Sequence, residues 1–237
     1  MTDRAPACSG NPVLQLPMTL PKLELADLAR AGHVTRWHSV RTSRDQTLAE
    51  HLFMVTRIAS HLARDMFGPG LDDAALLRIM DYASLHDAPE LLMGDLPSPL
   101  KRHIEAISGA DNPVREIERQ IAPWLEDMRE DIRRRNPEHL LVIKLADLID
   151  AILFIDHEGI GPHARAVCSG LHQIFGDKLD EAKDQYPGYP WDKAASLLET
   201  LQQDTAAGQI AFERVWGGRP GLSERREDVL CGATQPL

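Results

Sequence analysis

The chain is expected to fold as an all-α protein, a single helical bundle, on three observations. Apolar residues recur at steps of three and four over long segments, the period of one helix face. Capping residues open these segments, and glycine or proline closes them. No series of strand-like alternating runs is present, and no internal repeat.

At 237 residues the chain is long enough for one domain with a full hydrophobic core, and no Gly/Ser linker divides it. Residues 1–21 carry four prolines and few periodic apolar positions, which predicts a flexible N-terminal arm. Residues 22–206 are expected to form the domain and residues 207–237 a C-terminal extension.

A short first helix is expected over 22–31, carried by Leu23, Leu25 and Leu28 and ended by Gly32. A loop rich in His, Arg and one Trp follows. Thr47 caps a helix running to Phe67 and stopped by Gly68 and Pro69. Its stripe of Leu48, Val55, Ile58 and Leu62 lacks one position, which His51 occupies, so His51 points inward. Taken alone, His51 reads as a hydrogen-bonded core histidine.

Asp72 and Asp73 open the next helix at its positive end. Its stripe Leu76, Met80, Ala83 leads by four to Asp87, and Ala75, Ile79, Tyr82 leads to His86. Both polar groups leave the buried side at the helix C-terminus, where an ionised carboxylate needs a positive partner such as a metal ion. A Pro-rich loop carries Glu90 and Asp95, and a helix over 99–107 follows it. One helix kinked at Pro123 is expected over 113–133. Its mixed charges read as a solvated face.

The helix over 137–157 carries a core stripe of Leu141, Leu145, Leu148, Ile152 and Ile155. A neighbouring stripe reads Leu140, Ile143, Asp147, Asp150, Phe154, with Asp147 expected to be the more buried acid. Gly159, Gly161 and Pro162 break the chain before a helix over 163–175. Residues 179–185 form a further helix or a turn, and 191–206 a last amphipathic helix.

A net charge of −10, from 36 acidic and 26 basic residues, argues against binding to nucleic-acid polymers. A nucleotide would need a local cation or a metal. The three cysteines, Cys8, Cys168 and Cys231, lie far apart and offer neither a disulfide framework nor a zinc motif. No secretion signal or membrane-spanning apolar run is found, so a cytoplasmic setting is expected, with no membrane partner.

Three helices thus direct metal-competent groups inward: His51, the pair His86 and Asp87, and Asp147. Two imidazoles and two carboxylates suit one divalent transition ion such as Co, Mn, Zn, Fe or Ni. This order, H…HD…D, resembles the HD-domain metal-dependent phosphohydrolases. More narrowly, Arg36-Trp37, the A-E-H of Ala49 to His51, the H-D-A-P-E-x-x-x-G-D-L-P-S-P of His86 to Pro99 and the K-x-A-D of Lys144 to Asp147 resemble the 5'-deoxynucleotidase branch.

That resemblance implies an HD-domain helical bundle whose metal is held by His51, His86, Asp87 and Asp147. It implies Glu90 as the carboxylate that positions or deprotonates the attacking water, and Arg36 as a phosphate-binding arginine. Trp37 and Asp95 match residues that contact the sugar, the indole against the 2' position and the carboxylate accepting from the 3'-hydroxyl. The plain alternatives are a core tryptophan and a turn aspartate. Ser39 falls where a base-facing side chain is expected. The implied activity is cleavage of the 5' phosphate ester of deoxynucleoside monophosphates, by a homo-oligomer, dimer or higher. The segment from Arg36 to His51 also resembles phage enzymes of the superfamily that strip the triphosphate from a purine deoxynucleotide. A non-catalytic nucleotide-sensing module is a third reading, against which the complete ligand set speaks.

Overall fold

Thr47 and Glu50 close a reciprocal cap: the Thr47 hydroxyl accepts the Glu50 N–H and the Glu50 carboxylate accepts the Thr47 N–H. This starts α2 (Leu48–Phe67), the first long helix of a computed structural model that describes residues 20–109 and 112–206. The expected C-terminal extension and most of the expected N-terminal arm lie outside the described residues, as do Cys8 and Cys231.

The bundle is almost wholly helical. Before α2 come a four-residue helix, α1 (Leu25–Leu28), and a minimal antiparallel ladder of β1 (Thr35–Arg36) with β2 (Gln46–Thr47), in which Thr35 faces Thr47 and Arg36 faces Gln46. The ladder was not expected, because two residues per strand leave no alternating pattern to read. After α2 a single 3-10 turn at Gly68–Gly70 leads to Asp72, whose carboxylate accepts the Ala75 N–H and starts α3 (Asp73–Leu85). A short α4 (Glu90–Met93) ends at Gly94, whose φ of 73° lies in the left-handed region. Next is α5 (Ser98–Ser108).

Where one kinked helix was expected, the chain forms α6 (Pro113–Ile121) and α7 (Pro123–Arg135). Pro123 has no N–H to continue the ladder, and Ala122 before it leaves helical geometry at φ −132°, ψ 65°. The following α8 (Glu138–Glu158) carries the second half of the site, and α9 (Gly161–Gln185) runs unbroken through Gly170 and Gly176. That length differs from the expected stop at Phe175: the packing of Phe175, Leu179 and Ala182 into the core outweighs the weak helix propensity of the glycines. The last helix is α10 (Asp192–Ala206).

The main core gathers Val55, Ile58 and Leu62 of α2, Ile79 of α3, Leu145, Ile149 and Ile152 of α8, Phe175 of α9 and Trp191 before α10. A second cluster joins Leu48 and Leu52 to Leu91, Ile121 and Leu125. A third, Val40 with Phe154, Ile155 and Ala164, lies beneath Trp37. The loop before α2 is laced onto the end of α8 by the Thr42–Gly159 bridge, the Ser43 N–H to Glu158 O bond of 2.8 Å and the Ile160 N–H to Arg41 O bond of 2.8 Å. Three elements therefore face one another where the site lies: the start of α2, the end of α3 and the middle of α8.

Candidate metal centre and active site

His51 follows the α2 cap by one turn and is fully buried. Its Nδ1 lies 2.7 Å from Oδ2 of Asp150, a carboxylate that can only accept, so Nδ1 carries the proton and Nε2 is left as a lone-pair donor. His86 stands at the C-cap of α3. Its Nδ1 bonds the Ala83 carbonyl at 2.8 Å, which imposes the same tautomer. Both Nε2 atoms face inward and make no hydrogen bond.

One ligand atom each from His51, His86 and Asp147 lie within 4.8 Å of one another. Asp87 Oδ2 lies 3.4 Å from His51 Nε2 and 3.5 Å from His86 Nε2, and Asp147 Oδ1 lies 3.5 Å from His51 Nε2. All four expected ligands converge. Two orphaned, buried imidazole nitrogens between two carboxylates are the donor set of a divalent transition ion.

The electrostatics agree with the geometry. Burial and the charge of Arg36 oppose charge on His51, yet its bond to Asp150 and the nearby carboxylates of Asp87 and Asp147 push its pKa up to about 9. Burial opposes charge on Asp87 too, but His86, His51 and Arg36 hold its carboxyl well below the usual range. Lys144 and the two histidines do the same for Asp147 against its own burial. The field favours positive charge at the His51 ring, which a proton or a metal ion supplies.

Glu90 begins α4 just past the Ala88-Pro89 turn and is 4% exposed. Its Oε1 accepts from Lys101 Nζ at 2.8 Å, and its Oε2 is buried without a hydrogen bond. Burial and the charge of Asp87 push its pKa up to about 7, against the pull of Lys101 and Arg36. Arg36 lies beside the same cluster, Nη1 3.3 Å from Asp87 Oδ2, with Nε buried and unbonded.

Trp37 sits at φ 66°, the one non-glycine residue with positive φ among those described. Three contacts hold this unfavourable backbone. Its N–H donates to Asp95 Oδ2 at 3.1 Å, its indole Nε1 donates to Gln46 Oε1 at 2.7 Å, and its ring stacks on Phe154 with centroids 6.4 Å apart and planes 12° apart. Trp37 and Asp95 are thus brought together as expected. Ser39 is exposed, and among the described residues no hydrogen bond ties it to this group.

One expectation about burial is reversed. Of the two, Asp150 is the more buried, its side chain 6% exposed, whereas the Asp147 side chain is 16% exposed and pairs with Lys144 at 2.7 Å. Asp147 lies by Nε2 of His51 and Asp150 by its Nδ1, one stripe position apart. Sequence reasoning had Asp150 in view but gave it no role, and it missed Gln46 and Lys101. Gln46 carried no signal, because it lies in a loop with no periodicity.

Comparison with known proteins gives the family. The family model described as 5'-deoxynucleotidase YfbR-like matches residues 25–158. The chain belongs to the YfbR-like 5'-deoxynucleotidase family. The match spans every candidate ligand and candidate site residue named above. Among curated relatives, a dATP triphosphohydrolase of Acinetobacter phage SH-Ab 15497 is 30% identical over 190 residues, covering 76% of this chain and 91% of the relative. A 5'-deoxynucleotidase of Vibrio cholerae is 32% identical over 139 residues, covering 54% of this chain and 70% of the relative. A solved structure of the cyanophage S-2L HD phosphohydrolase DatZ, bound to dA and one catalytic Zn2+ ion, superposes with a TM-score of 0.63 at 24% identity, covering 78% of this chain and 99% of that one. The shared architecture is the HD phosphohydrolase helical bundle.

Proposed function

We propose that this YfbR-like chain hydrolyses the ester between the 5'-oxygen and the adjoining phosphorus of 2'-deoxynucleotides, with one divalent transition-metal ion. The observation that carries the reading is the set of buried polar atoms without hydrogen bonds: Nε2 of His51 and His86, Nε of Arg36 and Oε2 of Glu90. Buried polar groups are normally satisfied. These four are two metal-ligating nitrogens, a phosphate donor and a proton acceptor, which are the parts that hydrolysis of a phosphate ester needs.

The ion would be held by His51, His86, Asp87 and Asp147. When bound, it supplies Lewis acidity toward a phosphoryl oxygen and lowers the pKa of water. Glu90 orients the attacking water and takes its proton. Arg36 holds phosphoryl oxygens through its guanidinium fork. Water oxygen bonds to phosphorus, and the P–O bond breaks with its electron pair on the 5'-oxygen. That oxygen takes up a proton to leave as the deoxynucleoside. Asp95 accepts from the 3'-hydroxyl and anchors the Trp37 backbone, and Trp37 presents an apolar wall at the 2' position. Ser39 is assigned toward the base.

The first reading takes deoxynucleoside monophosphates as substrate, with release of phosphate. A second, release of tripolyphosphate from dATP, breaks the same bond and is favoured by two observations. Lys101, 2.8 Å from Glu90, and Lys144, 2.7 Å from Asp147, add two cations to Arg36 at the edge of the site, where further phosphoryl groups would find donors. The dATP triphosphohydrolase of the Acinetobacter phage also covers more of this chain, 76%, than the Vibrio cholerae 5'-deoxynucleotidase does, 54%. A sensing module without turnover is disfavoured by the intact Glu90.

The chain is further assigned to the cytoplasm as a homo-oligomer. No described helix is long and apolar enough to cross a membrane, and the exposed Phe53, Leu77 and Ile107 offer apolar area for a second copy. Purified protein loaded with Co2+, Mn2+ or Zn2+ should release phosphate from dAMP or tripolyphosphate from dATP. Release of neither, with any of these ions, overturns the proposal.

A further inference from the structure

Between the sugar-facing indole and the metal site runs a continuous, buried chain of hydrogen bonds. Trp37 Nε1 donates to Gln46 Oε1 at 2.7 Å, Gln46 Nε2 donates to Asp150 Oδ2 at 2.9 Å, and that same Oδ2 lies 2.7 Å from Nδ1 of His51. Gln46, Asp150 and His51 are 3%, 4% and 0% exposed. The chemistry leaves one orientation for each link. An indole N–H can only donate, so the amide turns its oxygen to Trp37. An ionised carboxylate can only accept, so the amide turns its nitrogen to Asp150. Asp150 then has one oxygen shared between Gln46 and His51, which keeps the proton on His51 Nδ1 and the Nε2 lone pair toward the metal.

We propose that Gln46 is a positioning residue with two ends: through Asp150 it fixes the ring of the metal ligand His51, and through its oxygen it fixes the Trp37 indole at the sugar. The proposal rests on the reading of Trp37 as the wall at the 2' position. The Gln amide offers a donor toward a carboxylate and an acceptor toward an indole on one rigid plane, which a hydroxyl, a carboxylate or an ammonium group does not. Its place supports the role, since Gln46 lies in β2, paired with Arg36 across the two-residue ladder and next to the Thr47 cap of α2. The backbone of Trp37 makes the link necessary. At φ 66° the residue relaxes unless side-chain contacts hold it, and the Gln46 bond is one of two that hold the ring.

Three variants separate the two ends. Gln46→Leu removes both. Gln46→Glu keeps an acceptor for the indole and places a second carboxylate against Asp150, so it disturbs the metal end. Asp150→Asn disturbs the metal end without touching Trp37. The first measurement is the Co2+ dissociation constant of the folded protein, by competition with a chelator and without nucleotide. The second is the ratio of kcat/KM for a deoxynucleotide over its ribonucleotide at saturating Co2+.

We expect Co2+ to bind about 10–100-fold more weakly in all three variants, the range for loss of a group behind a metal ligand. We expect the deoxy-over-ribo ratio to fall in Gln46→Leu and to stay near the wild-type value in Asp150→Asn and Gln46→Glu. Co2+ affinity within twofold of wild type in Gln46→Leu, or in Gln46→Glu and Asp150→Asn if Gln46→Leu does not fold, overturns the metal end. An unchanged ratio in Gln46→Leu, or a ratio lost in Gln46→Glu, overturns the sugar end. Equal wild-type rates on the two sugars would defeat the underlying reading of Trp37 and is seen before any variant is made, while the affinity arm still decides the link to His51.

Discussion

Glu90 shows how one residue's chemistry follows from its surroundings. A carboxyl kept from water beside the charge of Asp87 holds its proton more tightly, and Lys101 at 2.8 Å limits the effect, leaving a pKa of about 7. Glu90→Ala should keep Co2+ binding and lose about a hundredfold or more in turnover. The pH dependence has a defined sign. The base works when deprotonated, so kcat/KM should rise with pH through a limb at or below about 7, since a bound cation offsets the part due to Asp87. Lys101→Met removes an opposing positive charge and should move that limb to higher pH, whereas Lys101→Arg should leave it near the wild-type position. A limb unmoved in Lys101→Met would mean that another group titrates.

At the scale of elements, the loop before α2 is held at both edges. Arg44 bridges Glu158 at the end of α8 and Glu50 of the α2 cap, and Ser43 also bonds Glu158. These exposed pairs contribute little each, but together with the Thr42–Gly159 bridge they press Trp37 onto Phe154. Trp37→Ala should therefore lower the deoxy-over-ribo preference, losing rate on the deoxynucleotide more than on the ribonucleotide. Two glycines respond in opposite ways. A Cβ at Gly170, inside α9, meets no atom within 4 Å, so Gly170→Ala should stabilise the fold by about 0.4–1 kcal/mol. A Cβ at Gly159 would collide with the Ile155 carbonyl oxygen and Ala164, so Gly159→Ala should cost about 1–3 kcal/mol and loosen the Thr42 bridge. Urea denaturation of both variants checks the pair of signs.

For the whole molecule, the candidate metal site joins α2, α3 and α8, so an ion bound there would link the bundle's main helices. An ion that binds only the folded chain stabilises it by about 2.7 kcal/mol at a hundred times its Kd. For a chain of 237 residues that is roughly 5–10 °C in Tm. Chelation should lower Tm by that amount and Co2+ should restore it. In Asp147→Ala, which lacks one ligand, the Co2+ increment should largely vanish together with the metal content found by mass spectrometry. Full retention of both would remove Asp147 from the site.

The amino-acid sequence by itself determined the helical class, the inward faces of α2, α3 and α8, and the candidate ligand set His51, His86, Asp87 and Asp147, because helical periodicity assigns each side chain to a face. Arg36, Trp37, Glu90 and Asp95 were legible through motif spacing, which reports local chain order. The division of labour between Asp147 and Asp150 was not legible. Three residues apart on one helix, both lie on its inward side, and only the position of α2 decides which meets His51 Nδ1 and which its Nε2. Gln46 and the strained Trp37 backbone were equally hidden, since hydrogen bonds between residues 9, 58 and 104 positions apart depend on how the loop closes over the packed helices. Periodicity within one helix holds no information about such closures. They are settled when burial of Leu48, Phe154 and their neighbours brings the elements together.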